Sequence, residues 1–120
     1  MKFLMFIKHA DVDPATVTHP QSLYDAMGKF VQESFANGTL KDTGGLVRPE
    51  KSTYIRSKGG KLTVKDGPFS EAKEVVGGYA IVEAKSREEA MELANQFMEL
   101  HRIHVPEFEC ECEVRQVEEG

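Results

Sequence analysis

The chain has 120 residues, of which 40% are hydrophobic and 29% charged, and its formal charge is −5. That length suits one domain over residues 1–120, and the composition excludes a disordered chain and a second independent core. The acidic balance argues against a protein that grips nucleic acid through a basic face, and no apolar run is long enough to cross a bilayer.

The opening segment, Met1 to Lys8, is expected as a strand that is apolar on both faces, with Phe3, Met5 and Ile7 on one and Leu4 and Phe6 on the other. Lys8 closes it too early for a signal peptide, and with only 2 cysteines in the chain a reducing cytoplasm is expected. His9 to Pro20 has the composition of a loop. His9, Asp11, Asp13 and His19 crowd it just past the carboxyl end of a central strand, where a histidine beside a carboxylate could act as general base. A polar surface loop accounts for the same residues and is the preferred reading.

Leu23, Met27, Phe30, Val31 and Ser34 recur at helical spacing, and Asn37-Gly38 is a helix stop. Asn37-Gly38-Thr39 matches the glycosylation sequon but is better explained as that cap. Gly44-Gly45 and Gly59-Gly60-Lys61 complete neither a P-loop nor a dinucleotide fingerprint and read as turns, the second closing a hairpin. Gly78 to Ala84 is another two-sided strand, with Tyr79 and Ile81 opposite Ala80 and Val82. Ser86-Arg87-Glu88-Glu89 reads as a capping box, its serine and glutamate each satisfying the other's amide, ahead of a helix with Ala90, Leu93, Ala94, Phe97 and Leu100 buried.

In the last segment Phe108, Cys110, Cys112 and Val114 face inward, while Glu107, Glu109, Glu111 and Glu113 face away. The pairs His101/His104 and Cys110/Cys112 invite a zinc reading. The cysteines, however, alternate in phase with Phe108 and Val114, so core thiols are preferred and no metal or other cofactor is expected. The glutamates read as a charged edge strand that repels stray pairing, in preference to a cation site. Two helices can cover one face of a sheet but not both. The expectation is an α+β ferredoxin-like plait with an inserted β-hairpin, which dimerises through its sheet.

The most informative stretch is Val64-Lys65-Asp66-Gly67-Pro68-Phe69-Ser70-Glu71-Ala72-Lys73-Glu74, closed by Gly77-Gly78. Gly67 before a proline is either extended or in a glycine-only conformation, Pro68 sets the turn, and Phe69 is an anchor beside it. Read plainly it is a stiff loop held by ion pairs. Read functionally it mounts carboxylates at a cleft.

At these residues the sequence resembles the DGPF group of YCII-related proteins, in Asp66-Gly67-Pro68-Phe69, Glu71, Lys73-Glu74 and Gly77-Gly78. The resemblance extends to the opening strand, the helix ending at Gly38, the Thr53-Tyr54-Ile55-Arg56 strand, the Ser86 to Ala94 helix start and Glu113-Val114-Arg115. It implies a dimeric α/β barrel, no assigned activity, and a link to sigma factors through gene neighbourhood and fusion. A distant relative, a chlorohydroxyhydroquinone dehydrochlorinase, uses a His-Asp pair. Its histidine position falls on Met27 here and its Asp-Pro-Tyr stretch is absent, so that pair does not carry over.

Two functions follow as expectations. One is a ligand-binding or accessory protein of a signalling module, whose partner is a small molecule or a sigma factor. The other is a cofactor-independent enzyme working in the dimer cleft, with Asp66 as base or orienter, Arg56 or Arg115 as anion anchor, and Lys73 with Glu71 in support.

Overall fold

The structure, a computed structural model, describes residues 1–10, 18–67 and 74–119. The elements run β1 (Lys2–Ala10), α1 (Gln21–Ala36), β2 (Leu40–Gly45), a short 3-10 turn (Pro49–Lys51), β3 (Thr53–Lys58), β4 (Lys61–Asp66), β5 (Glu74–Glu83), α2 (Arg87–His104) and β6 (Cys110–Gln116). The architecture is the expected ferredoxin-like α+β plait, with β3 and β4 as its inserted hairpin. No helix among the described residues is long and apolar enough to cross a membrane.

The two strands read as apolar on both faces are the central pair. The four-stranded sheet has the order β2-β5-β1-β6, and β1 lies antiparallel to both β5 and β6. Strand alternation then decides what each side chain meets. Phe3 and Met5 of β1, with Val82 of β5 and Leu40 of β2, pack under Ala90 and Ala94 of α2. Leu4, Phe6, Tyr79 and Ile81 point to the opposite face and are half-buried. That face has no helix over it among the described elements.

The helices end as their sequences dictate. Asn37 caps α1, its Oδ1 accepting from the Thr39 amide (3.0 Å) and hydroxyl (2.6 Å), and Gly38 follows at φ +82. Ser86 Oγ accepts from the Glu89 amide at 3.1 Å. The Glu89 carboxylate, however, accepts from the Lys85 amide (3.3 Å) and not from that of Ser86. The reciprocal bond of the capping box is thus made one residue earlier.

The glycines divide by function. Gly59 and Gly60, at φ +58 and +76, make the two-residue turn of the β3-β4 hairpin. Gly44 and Gly45, expected as a turn, lie in β2. The Tyr79 ring lies over Gly44, and a Cβ there would sit 3.0 Å from its Cε1. Gly67 does not have positive φ. It is needed for close approach, since a Cβ would lie 1.8 Å from the Pro49 carbonyl oxygen while its amide donates to Ser52 O at 2.7 Å.

The hairpin is therefore clamped at its base, where Thr53 Oγ1 also donates to Asp66 Oδ1 at 2.7 Å. Beyond the clamp it forms a separate two-stranded sheet. The radius of gyration, 16.3 Å, exceeds the roughly 14 Å of a compact chain this long because this arm extends outward. Gly67→Ala should force Pro49 away and destabilise the fold by about 1–3 kcal/mol, measured by urea denaturation.

Candidate functional site

The largely apolar cavity between the helices and the sheet has a volume of about 550 Å³. Its floor is the helix-facing side of the sheet, with Met5, Ile7 and His9 from β1, Ala80 from β5 and Cys112 from β6. Its roof is Met27, Phe30 and Val31 of α1 with Leu93 and Phe97 of α2, and the Phe30 and Phe97 rings meet at 6.1 Å. At the end where β1 finishes, His9, His19, His101, Tyr24 and Phe108 replace the aliphatic lining. No lysine, arginine or carboxylate faces this cavity among the described residues.

Each imidazole is placed by its own element. His9 continues the Phe3, Met5, Ile7 side of β1, and its Nδ1 donates to Ala10 O at 2.8 Å, which leaves Nε2 as the acceptor in the neutral ring. That Nε2 lies against Gly77, where a Cβ would be 2.8 Å away. Gly77 is the extra residue of a bulge: Ile7 pairs with Gly78 and Lys8 with Val76. His101 is buried in the last turn of α2, its Nδ1 donating to Phe97 O at 3.1 Å. His19, just before α1, packs edge-on to Phe108 at 4.7 Å between centroids, and its buried Nδ1 has no hydrogen-bond partner among the described residues.

Burial lowers the His19 pKa below the ordinary histidine value, the charges of His101 and His9 push the same way, and Glu107 opposes them. Histidine at neutral pH is thus held uncharged there. The cavity offers a neutral, ring-lined pocket with one buried nitrogen lacking a partner.

Of the residues singled out in the sequence, His9 and His19 meet at this cavity. Asp11 and Asp13, and likewise Pro68, Phe69, Glu71 and Lys73, lie outside the described residues. Asp66 sits at the hairpin base bonded to Thr53. Arg56 is on the other face of the hairpin, over the Tyr54 ring at 5.3 Å. Arg115 lies on the helix-free face of the main sheet, paired with Glu113 and 6.0 Å from the Phe6 ring. The chain does not bring Asp66, Arg56 and Arg115 together.

Cys112 and Val114 pack against the core, and burial raises the thiol pKa values of Cys110 and Cys112. His104 turns to Ser22 Oγ at 3.0 Å, away from His101's partner. Among the described residues no group of three or more His, Cys, Asp or Glu is placed to hold a metal. Sequence reasoning missed His101 and Phe108 as cavity residues. His101 was visible four residues after Phe97 on the buried stripe of α2, but it was weighed only as a partner of His104.

The profile of the YCII-related domain matches residues 1–98. The chain belongs to the YCII-related family. No curated protein matches it in sequence. The match to the YCII-related domain takes in β1 to β5, His9, His19 and most of α2, while His101, Phe108 and β6 follow it.

The depressed His19 pKa fixes the sign of a pH effect. The unfolded chain takes up a proton near the ordinary histidine value while folded His19 resists it, so stability from the neutral ring is present above pH ~6.5 and is lost as pH falls below it. His19→Asn should flatten this acid-side loss, measured as the difference in Tm between variant and wild type from about pH 7.5 to about pH 5.5.

Proposed function

We infer that this YCII-related protein binds a small, neutral, ring-bearing molecule in the cavity between its helices and sheet, with His19 as the polar contact. The observation that carries this reading is the buried, unpartnered Nδ1 of His19 in a cavity of about 550 Å³ walled by Phe97, Phe108 and Tyr24. Such a volume suits a small organic ligand, and an apolar lining with one placed polar group orients it. With no charged side chain in the described lining, a charged ligand would lose its hydration without compensation.

The probe 2-naphthol carries two rings and one hydroxyl. It should raise Tm saturably, and naphthalene should bind up to about tenfold more weakly because it leaves Nδ1 unmatched. His19→Phe should erase that discrimination and retain binding of naphthalene, measured by fluorescence titration. Equal affinity of the wild type for the two probes would overturn the reading.

A second reading draws on the same imidazole. A histidine held neutral beside two others is a competent general base, so turnover of a bound hydroxyl-bearing ligand by proton transfer is open to this site. The acid–base cleft expected around Asp66 needs groups from a second copy, since Arg56 and Arg115 lie apart from it in one protomer. Asp66→Asn and His19→Asn separate the two sites: the variant that loses turnover of a given substrate identifies its base. A sigma-factor partner rests on the resemblance alone and is tested by recovering one with the tagged protein.

A further inference from the structure

The β3-β4 arm is unlike the rest of the chain. From Thr53 to Lys65 it carries Arg56, Lys58, Lys61 and Lys65 and no acid, which leaves −9 on the other residues of a chain whose total is −5. The register puts Arg56, Lys58, Lys61 and Lys65 on one face and Ile55, Leu62 and Val64 on the other. The apolar three are 67, 74 and 67% exposed. Lys58 lies directly opposite Lys61, a like-charge pair that opposes pairing. A two-stranded hairpin alone in water is marginal at best, and a third strand is what stabilises one.

The main sheet presents a strand with the complementary pattern. β6 is an edge, paired only with β1 among the described strands. It alternates glutamates with Cys110, Cys112 and Val114, and Glu109 and Glu111 are exposed. Beside it runs a groove of about 610 Å³ whose wall includes Met98, Val105 and Cys110. Laying β4 along β6 with Thr63 opposite Glu111 sets Lys61 and Lys65 against Glu109 and Glu113 and turns Leu62 and Val64 toward that groove. One register satisfies both faces, because both strands alternate with the same period.

The arm is not paired with its own β6, which is at the far edge of the sheet from β2, three strand spacings or roughly 14 Å across. A second copy can supply it. A two-fold axis parallel to the strands, with the helix-free faces together, sets β2 of one copy over β6 of the other. Such an axis preserves strand level, and Gly45 and Cys112 are level, since Gly45 pairs with Gly78, Gly78 with Ile7 and Ile7 with Cys112. The arm springs from just past Gly45, at the same end as Glu109.

We propose that the β3-β4 arm pairs with the β6 edge of a second copy, β4 against β6, joining two chains by reciprocal strand addition with Lys61 and Lys65 facing the partner's glutamates. The mode is main-chain pairing with side-chain patterns setting the register.

Charge reversal tests it. K61E/K65E and E109K/E113K should each sediment as monomers at micromolar concentration, while an equal mixture of the two should give dimers, because each reversed arm then meets a reversed edge. Circular dichroism checks that both chains fold. A monomeric wild type, a reversed chain that still dimerises alone, or a mixture of folded chains that stays monomeric would overturn the proposal. Should a reversed chain fail to fold, wild-type dissociation decides. Its constant should rise about tenfold or more between about 0.05 and about 0.5 M NaCl, and an unchanged constant would contradict the charge pairing.

Discussion

Two helices lie over four strands, and the geometry of that cover governs the molecule. Phe3, Met5 and Val82 are buried because α2 brings Ala90 and Ala94 down on them, small residues that let the helix approach the sheet closely. Toward the other end of β1 the covering residues are large: Phe30, Phe97 and Phe108 prop the helices and the following loop away, and the space beneath them is the cavity. The same limited cover leaves Leu4, Phe6, Tyr79 and Ile81 half-buried on a face with no helix. Core, cavity and open face are three consequences of one shortage of helix.

The cavity end of the sheet is also its least regular part. The bulge at Gly77 moves the β5 backbone and removes a side chain where the His9 ring lies. Gly44 of the neighbouring strand leaves room for the Tyr79 ring on the helix-free face, where the tyrosine hydroxyl donates to Asp42 at 3.1 Å. The bulge interrupts the regular pairing of β1 with β5 at the cavity end, as bulges beside sites commonly do. His19 then sits half-buried, with its buried Nδ1 unmatched among the described residues, and an unmatched buried polar atom calls for an explanation such as a bound partner.

Much of the fold could be read from the residues, because it rests on local periodicity. The two-sided apolar strands identified β1 and β5 as the central pair, Asn37-Gly38 ended α1 and Ser86 began α2. Long-range geometry was harder to read. Gly44-Gly45 read as a turn because nothing local reveals that Tyr79 lies above it, and Gly67 read as conformational when its need is clearance from Pro49, 18 residues earlier. The cavity was half legible: His9 and His19 were near in sequence, but Phe108 joins them only through the antiparallel return of β6 beside β1, and His101 only through the packing of α2 over the sheet. Asp66, Arg56 and Arg115 drew attention as charged residues near a dense motif, and the register shows the first two on opposite faces of the hairpin.

The central claim is that the ligand site of this YCII-related protein is the helix-covered cavity with His19 at its polar end. Nitrogen NMR of the histidine rings, recorded at neutral pH with and without 2-naphthol, tests it most directly. The account predicts a neutral His19 ring whose Nδ1 resonance moves on binding, with His104, bonded to Ser22 on the outer surface, left in place. A His19 ring that is charged at neutral pH, or one that stays unmoved while binding perturbs the β3-β4 arm, would contradict it.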